Sequence, residues 1–288
     1  VHEQYQGPGA RTPAQTLVRF PLARITREFE AGILQPGDLI DRFEHRCRAV
    51  LDAGMDVVWS FKPDRRAVLT GQWRPFVEAL ARHLSTAGLT ARVVVAIWHE
   101  PENDMSAAAF VALFNQVHDW LTAVNPAIVT CHSALGYQYR NMTMAQARAW
   151  VTRAGVHAID LYSGRSFPLA TTLQTSAPFV IWAASRPAGA RWGVSERGWI
   201  ADAEHWPERV LAIDHEAEYL RTLTPAEQPD FYVVWNTVGV ENDPKIVLDS
   251  TGVVAVNDLF SDLSSDPCPL CAGTGRVPPG TTLPSTVH

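Results

Sequence analysis

The sequence predicts an α/β protein built as a (β/α)8 TIM-type barrel, and three observations lead there. Short β-branched runs alternate one for one with longer segments of helical spacing, which makes the crossovers right-handed and the sheet parallel. No Gly-rich phosphate loop follows any of the runs, as the common nucleotide-binding open sheets would show. Polar and aromatic residues gather where the runs end, which is where a barrel assembles its site. A chain of 288 residues is long enough for one such barrel.

The first confident helix is "PGDLIDRFEHRCRAVLDAG", with Leu39, Ile40, Phe43, Cys47, Val50 and Leu51 at three- and four-residue steps and Gly54 as its stop. Strand "MDVVWSF" follows, then helix "TGQWRPFVEALARHLSTAG", strand "ARVVVAIW", helix "SAAAFVALFNQVHDWLTAV" and strand "AIVTCH". Helix "TMAQARAWVTRAG", strand "HAIDLYS", helix-like "PFVIWAASRPAG", strand "ARWGVSE", helical "EHWPERVLAIDHEAEYLRTL" and strand "DFYVVWN" complete the series. Trp73, Trp150, Trp182 and Trp206 fall on helical segments and read as packing residues, and Trp59 and Trp98 read as core. Trp98, His99, Glu100, His132, Tyr162, Glu196, Trp235 and Asn236 fall at strand ends.

Six strands are clear, and "VHEQYQ" and "LVRFPL" lie upstream of them. The residues between these two barely suffice for a helical crossover. The favoured reading makes "VHEQYQ" the second strand of a barrel that lacks its first βα unit. Residues 1–263 form the barrel on this reading, and the Pro- and Gly-rich stretch 264–288 lies outside it as a tail.

Composition is that of a globular protein, 47% hydrophobic and 19% charged. No apolar stretch approaches the roughly 18 residues of a membrane helix, so membrane insertion is not expected. A net charge of -6 without a basic cluster leaves nothing to neutralise phosphates, which argues against nucleic acid. The polar start "VHEQYQGPGARTPAQT" lacks the apolar core of a secretory signal and an initiator Met, so the sequence reads as a processed protein or a piece of a longer one. Four cysteines do not make a disulfide framework; Cys47 and Cys131 read as buried thiols. Cys268 and Cys271, in "CPLCAGTG", have the spacing of one repeat of the zinc-knuckle modules of DnaJ-type chaperones, but supply only two of four ligands. They are read as free or joined to each other.

Glu100, in "VVVAIWHEPEN", and Glu196, in "WGVSERGW", carry the chemical reading. At roughly 31 residues per βα unit they stand about three units apart, on the fourth and seventh strands, and point into the same mouth. Opposed carboxylates are what glycoside hydrolysis needs, one to protonate the leaving oxygen and one to attack the anomeric carbon. Glu102 is the rival of Glu100, but strand parity and Pro101 assign it a supporting or surface place. A metal-dependent hydrolase using His99, His132, Asp160 and Glu196 lacks any His-x-His pair or HExxH helix.

These two motifs resemble clan A glycoside hydrolases, the retaining (β/α)8 enzymes with a glutamate acid/base on strand four and a glutamate nucleophile on strand seven. His99 ahead of the strand-four glutamate is closer to the mannanase-type family 26 pattern than to cellulase-like members. The resemblance implies Glu100 as acid/base and Glu196 as nucleophile, working on a polysaccharide or oligosaccharide without metal or organic cofactor. It implies Tyr162 as hydrogen-bond partner of the nucleophile, His99 as a residue that contacts the sugar or orients Glu100, and Trp235 as a stacking face for a sugar ring. Arg197 departs from the pattern, because an aromatic often stands between the nucleophile and the following glycine; it is expected to reshape the pocket or bind an acidic sugar. The alternative is a non-catalytic glycan-binding or structural barrel in a cell-surface or virion assembly, and either reading favours a place outside the cell or on a surface.

Overall fold

The computed structural model describes residues 16–19, 23–164, 167–201, 203–224 and 226–234. Eight strands close a barrel in chain order: β1 (Thr16–Arg19), β2 (Ala23–Leu34), β3 (Asp56–Pro63), β4 (Val93–Ile97), β5 (Val129–Leu135), β6 (Val156–Ser163), β7 (Trp192–Trp199) and β8 (Tyr232–Val234). The helices are α1 (Leu39–Asp52), α2 (Arg65–Leu69), α3 (Arg74–Thr86), α4 (Ala107–Val124), α5 (Gly136–Tyr139), α6 (Met144–Arg148), α7 (Ala177–Ser185) and α8 (Trp206–Thr222). No helix among the described residues is long and apolar enough to cross a membrane.

From β2 to β8 every neighbouring pair is parallel. β1 departs from the expected all-parallel sheet: it runs antiparallel to both β2 and β8. "LVRFPL" thus supplies the strand that closes the barrel, and the chain turns from it directly into β2 without a helix. A hairpin connection takes the place of the first βα unit. The strand before β3 is Ala23–Leu34 rather than "VHEQYQ", which lies outside the described residues, as do the boundary at residue 263, Cys268, Cys271 and the whole tail.

Four of the helices, α2, α4, α6 and α7, start at side-chain caps. Asp64 accepts from the Ala67 N–H at 2.7 Å, Ser106 from Ala109 and Ser176 from Phe179, and Thr143 and Gln146 form a reciprocal capping box. α6 ends at Arg148, short of the expected "TMAQARAWVTRAG", ahead of the β-branched pair Val151 and Thr152.

Strand parity sorts the core into two layers. Val57, Trp59 and Phe61 of β3 and Val93, Val95 and Ile97 of β4 face outward into a cluster with Phe43 of α1, Leu80 of α3 and Phe114 of α4. Val58, Ala96, Cys131, Ala158 and Val233 fill the barrel interior. Burial on both faces is why β3 and β4 read as continuous apolar runs. Two residues further along the same inward face the chemistry turns polar: Val58 gives way to Ser60, Cys131 to Ser133 and Ala158 to Asp160.

Candidate active site

Arg27 of β2, Ser133 of β5, Asp160 and Tyr162 of β6, and Ser195 and Glu196 of β7 meet above this apolar plug, with Glu100 arriving from the end of β4. One carboxylate oxygen each from Glu100, Asp160 and Glu196 lies within 4.8 Å of the other two. Their shared cation is Arg27, fully buried, whose Nη1 donates to Asp160 Oδ1 at 2.9 Å, lies 2.8 Å from Glu196 Oε1 and donates to the Ser195 carbonyl at 3.2 Å.

A register shift delivers Glu196. Ile159 pairs with Val194, but the next residue, Asp160, pairs with Glu196, so Ser195 is the extra residue of a β-bulge. The bulge lets Ser195 and Glu196 both face the interior: Ser195 Oγ donates to Asp160, and the Glu196 carboxylate forms an ion pair with Arg27 at one oxygen and accepts from the Tyr162 hydroxyl on the other. Gly198 makes room for that tyrosine, because a Cβ there would stand 2.5 Å from the Tyr162 ring.

Glu100 is placed by an unusual backbone. Trp98 (φ 59) and Glu100 (φ 50) both adopt left-handed conformations, and they are the only non-glycine residues to do so among those described. Such conformations cost about 1–3 kcal/mol each and persist only where the surroundings enforce them. Here the Trp98 N–H donates to the Phe61 carbonyl at 3.0 Å and the Glu100 N–H to the Ser133 carbonyl at 2.9 Å, tying the kinked segment to β3 and β5 in turn. The Trp98 indole donates to Asp104, which also pairs with Lys62 at 2.8 Å.

The carboxyl groups have different environments. Burial, then the charges of Asp160 and Glu196, hold the Glu100 carboxyl well above the usual range, which favours its protonated form. Burial also raises Glu196, and Arg27 and Tyr162 act against it by favouring the ionised form. Asp160 is pushed up to about 7 by burial and by Glu196, against the pull of Arg27 and Ser195. Three acids around one guanidinium titrate as a coupled set.

No protein-family model matches the sequence, and no curated protein does. Among solved structures, an exo-β-1,4-mannosidase from Opitutaceae bacterium strain TAV5 is similar at a TM-score of 0.55 and 14% identity, over 85% of this chain and 54% of that one. A family 39 glycoside hydrolase from the gut symbiont Bacteroides cellulosilyticus WH2 is similar at 0.52 and 14%, over 82% and 57%. The fold is the one these two hydrolases share. This chain spans little more than half the length of either.

Of the residues expected at the site, Glu100, Glu196 and Tyr162 come together. His99 is 3% exposed and sits beside them, its Nδ1 2.9 Å from Ser60 Oγ and its ring edge-on to Phe29. Trp235 lies outside the described residues. His132 does not face the mouth: β5 runs on to Leu135, so parity turns His132 outward among Phe110, Phe114 and His157, and Ser133 takes the inward place. Arg197 also faces outward, where Glu216 of α8 grips it at 2.8 Å and Ser163 and the Thr171 carbonyl accept from it. It therefore neither shapes the pocket nor reaches a substrate. Glu102 has the supporting place, accepting from the Leu135 N–H at 3.0 Å. Trp98 and Trp59 are core, while Trp206 is 37% exposed rather than packed.

Arg27 was not marked by any local motif. Its signal is the alternation Ile25, Arg27, Phe29 in "ARITREFEAGIL", a strand pattern obscured by Glu28 and Glu30 on the other face. A cavity of about 710 Å³ lies apart from the acids, lined by Arg148, Arg186 and the segment leading into β7. No carboxylate lines it.

Proposed function

We propose that the chain is a retaining glycoside hydrolase that cleaves β-glycosidic bonds of a polysaccharide or oligosaccharide by double displacement. Glu196 attacks the anomeric carbon while Glu100 gives its proton to the departing oxygen, forming a glycosyl ester on Glu196. Glu100, now ionised, takes a proton from water, whose oxygen attacks the anomeric carbon and releases Glu196. Arg27 and Tyr162 occupy both oxygens of the nucleophile, which orients it and favours its charge. The observation that carries the reading is the approach of the Glu100 and Glu196 oxygens within 4.8 Å at the carboxyl ends of β4 and β7. Retention works with carboxylates about 5–5.5 Å apart, and inversion with about 6.5–9.5 Å.

The barrel shared with two glycoside hydrolases supports the same class, and the likeness to family 26 rests on His99 ahead of Glu100. Tyr137, which carries Arg140 over one face at 4.0 Å, and Phe167 follow β5 and β6 with ring centroids 6.4 Å apart, and with Trp235 they are the aromatic candidates for stacking on a sugar ring. The test is reducing-end release from a panel of β-linked glycans, with the anomer of the first product read by proton NMR. Wild type is expected to release the β-anomer, and Glu196→Gln and Glu100→Gln to lose activity at least about 1000-fold. An α-anomer refutes retention. Wild type and both variants equally inert, with glycan binding intact, would instead make the chain a binding module.

A further inference from the structure

Asp160 is a third carboxylate that double displacement does not use. It is 1% exposed and is walled in by Arg27 Nη1, Ser195 Oγ and Ser133 Oγ, the last at 3.3–3.4 Å from its two oxygens. The two serines are also bonded to each other at 2.8 Å. A group so enclosed cannot touch a sugar, yet it lies within 4.8 Å of both acids that would. It also competes with one of them for a single nitrogen, since Arg27 Nη1 is 2.9 Å from Asp160 and 2.8 Å from Glu196.

Resting on the glycosidase reading, we propose that Asp160 is a positioning residue that divides Arg27 with Glu196 and, in its ionised form, opposes loss of the Glu100 proton. A carboxylate outside the substrate's reach thereby sets the pH range of the site. The coupling is electrostatic. A negative charge beside Glu100 makes loss of its proton less favourable, and a second claimant on Arg27 leaves Glu196 less of the guanidinium's stabilisation. The charged and titratable groups around Asp160 are Arg27 on β2, Glu100 after β4, Glu196 on β7 and Tyr162 on β6; Glu102 and Cys131 also feel its charge. Arg27 alone among them is cationic, so the division of its charge decides the balance.

The test is a carbon-13 NMR titration of the full chain labelled at Asp and Glu carboxyl carbons, with Glu100→Gln and Glu196→Gln assigning the two resonances. In Asp160→Asn both glutamates are expected to titrate lower, by about one pH unit or more. Movement of neither, or of only one, overturns the proposal. Should Asp160→Asn fail to fold, Ser195→Ala decides: stripping a donor from Asp160 disfavours its charge and must move both glutamates the same way by a smaller amount. With an aryl β-glycoside as substrate, both limbs of the kcat/KM profile should move to lower pH; a uniform drop in rate with unmoved limbs would mean a merely structural role and overturn it too. The titration needs no turnover. An inert protein whose glutamates still shift would sink the glycosidase reading and leave the sharing of Arg27 intact.

Discussion

Gly198→Ala tests whether Tyr162 holds Glu196 in place for the proposed attack. The new Cβ would stand 2.5 Å from one ring carbon of Tyr162 and 2.7 Å from another, whereas ordinary contact begins at 3.4 Å. The ring must therefore move by about 0.9 Å, the difference between 3.4 and 2.5 Å. A shift of that size carries a hydroxyl beyond the roughly 2.5–3.0 Å over which it bonds to oxygen. A hydrogen bond to a charged group contributes about 1.5–3 kcal/mol, so kcat/KM should fall about 10- to 150-fold. Tyr162→Phe removes the same bond without moving the ring and should cost a similar amount.

The two changes break one contact, so the rate loss of the double variant should be close to that of either single one. Stability behaves differently. Phenylalanine keeps the ring and hence the clash, so Gly198→Ala should lower the free energy of unfolding by about 1–3 kcal/mol in both backgrounds. Kinetics on an aryl β-glycoside and urea denaturation of the four proteins read the two effects separately. Multiplying rate losses, or a Gly198→Ala variant of wild-type rate, would refute the claim that this glycine serves Glu196 through the tyrosine.

Two further expectations concern stability. His132 has no hydrogen-bond partner on either ring nitrogen and is held neutral by burial well below its ordinary range, and burial depresses His157 beside it to about 4. The unfolded chain takes up these protons below about pH 6.5 while the folded one does not, so stability should fall as pH drops from 6.5 towards 4, by about 3 kcal/mol for His157 alone. The raised carboxyls of Glu100, Asp160 and Glu196 act in the opposite sense over the same range, so the difference between the wild-type and His132→Leu profiles in urea denaturation isolates the histidine; profiles that run parallel from pH 6.5 to 4 would contradict the buried neutral pair. Arg27→Met leaves Asp160 and Glu196 buried without their cation and should destabilise by about 3–5 kcal/mol. Their carboxyls would then titrate higher in the folded state than in the unfolded one, so the cost must be larger at pH 8 than at pH 5, and the reverse order in urea melts would refute it.

The parts of the molecule legible in the sequence are those whose partners are generic. β3 and β4 could be read because water is excluded from both faces, and any apolar neighbour satisfies Val93 to Ile97. Glu100 and Glu196 could be paired because a barrel has a regular repeat and an acid after a buried strand has few bland uses. β2 could not be read: Arg27, Glu28 and Glu30 deny it an apolar pattern, and the residue that neutralises Arg27 is Asp160, 133 positions away. His132 reads as a strand-end residue because the apolar run stops there, but β5 continues to Leu135 and the inward place falls to Ser133. The bulge at Ser195 has no local mark at all, because it exists only relative to β6.

The exchange of a βα unit for the hairpin of β1 and β2 bears on the site through Arg27. β1 pairs with β2 only from Ala23 to Ile25, whereas Arg27 finds its ladder partner in Val58 of β3. At the height of the acids, then, β2 is held by backbone bonds on the β3 side and by the Arg27 side chain, which reaches across the barrel to Asp160 on β6 and Glu196 on β7. The charge network closes at the mouth what the short hairpin closes below it. An arginine in this position serves the fold and Glu196 with the same nitrogen, because each carboxylate that pairs with Arg27 also ties β2 to the opposite wall.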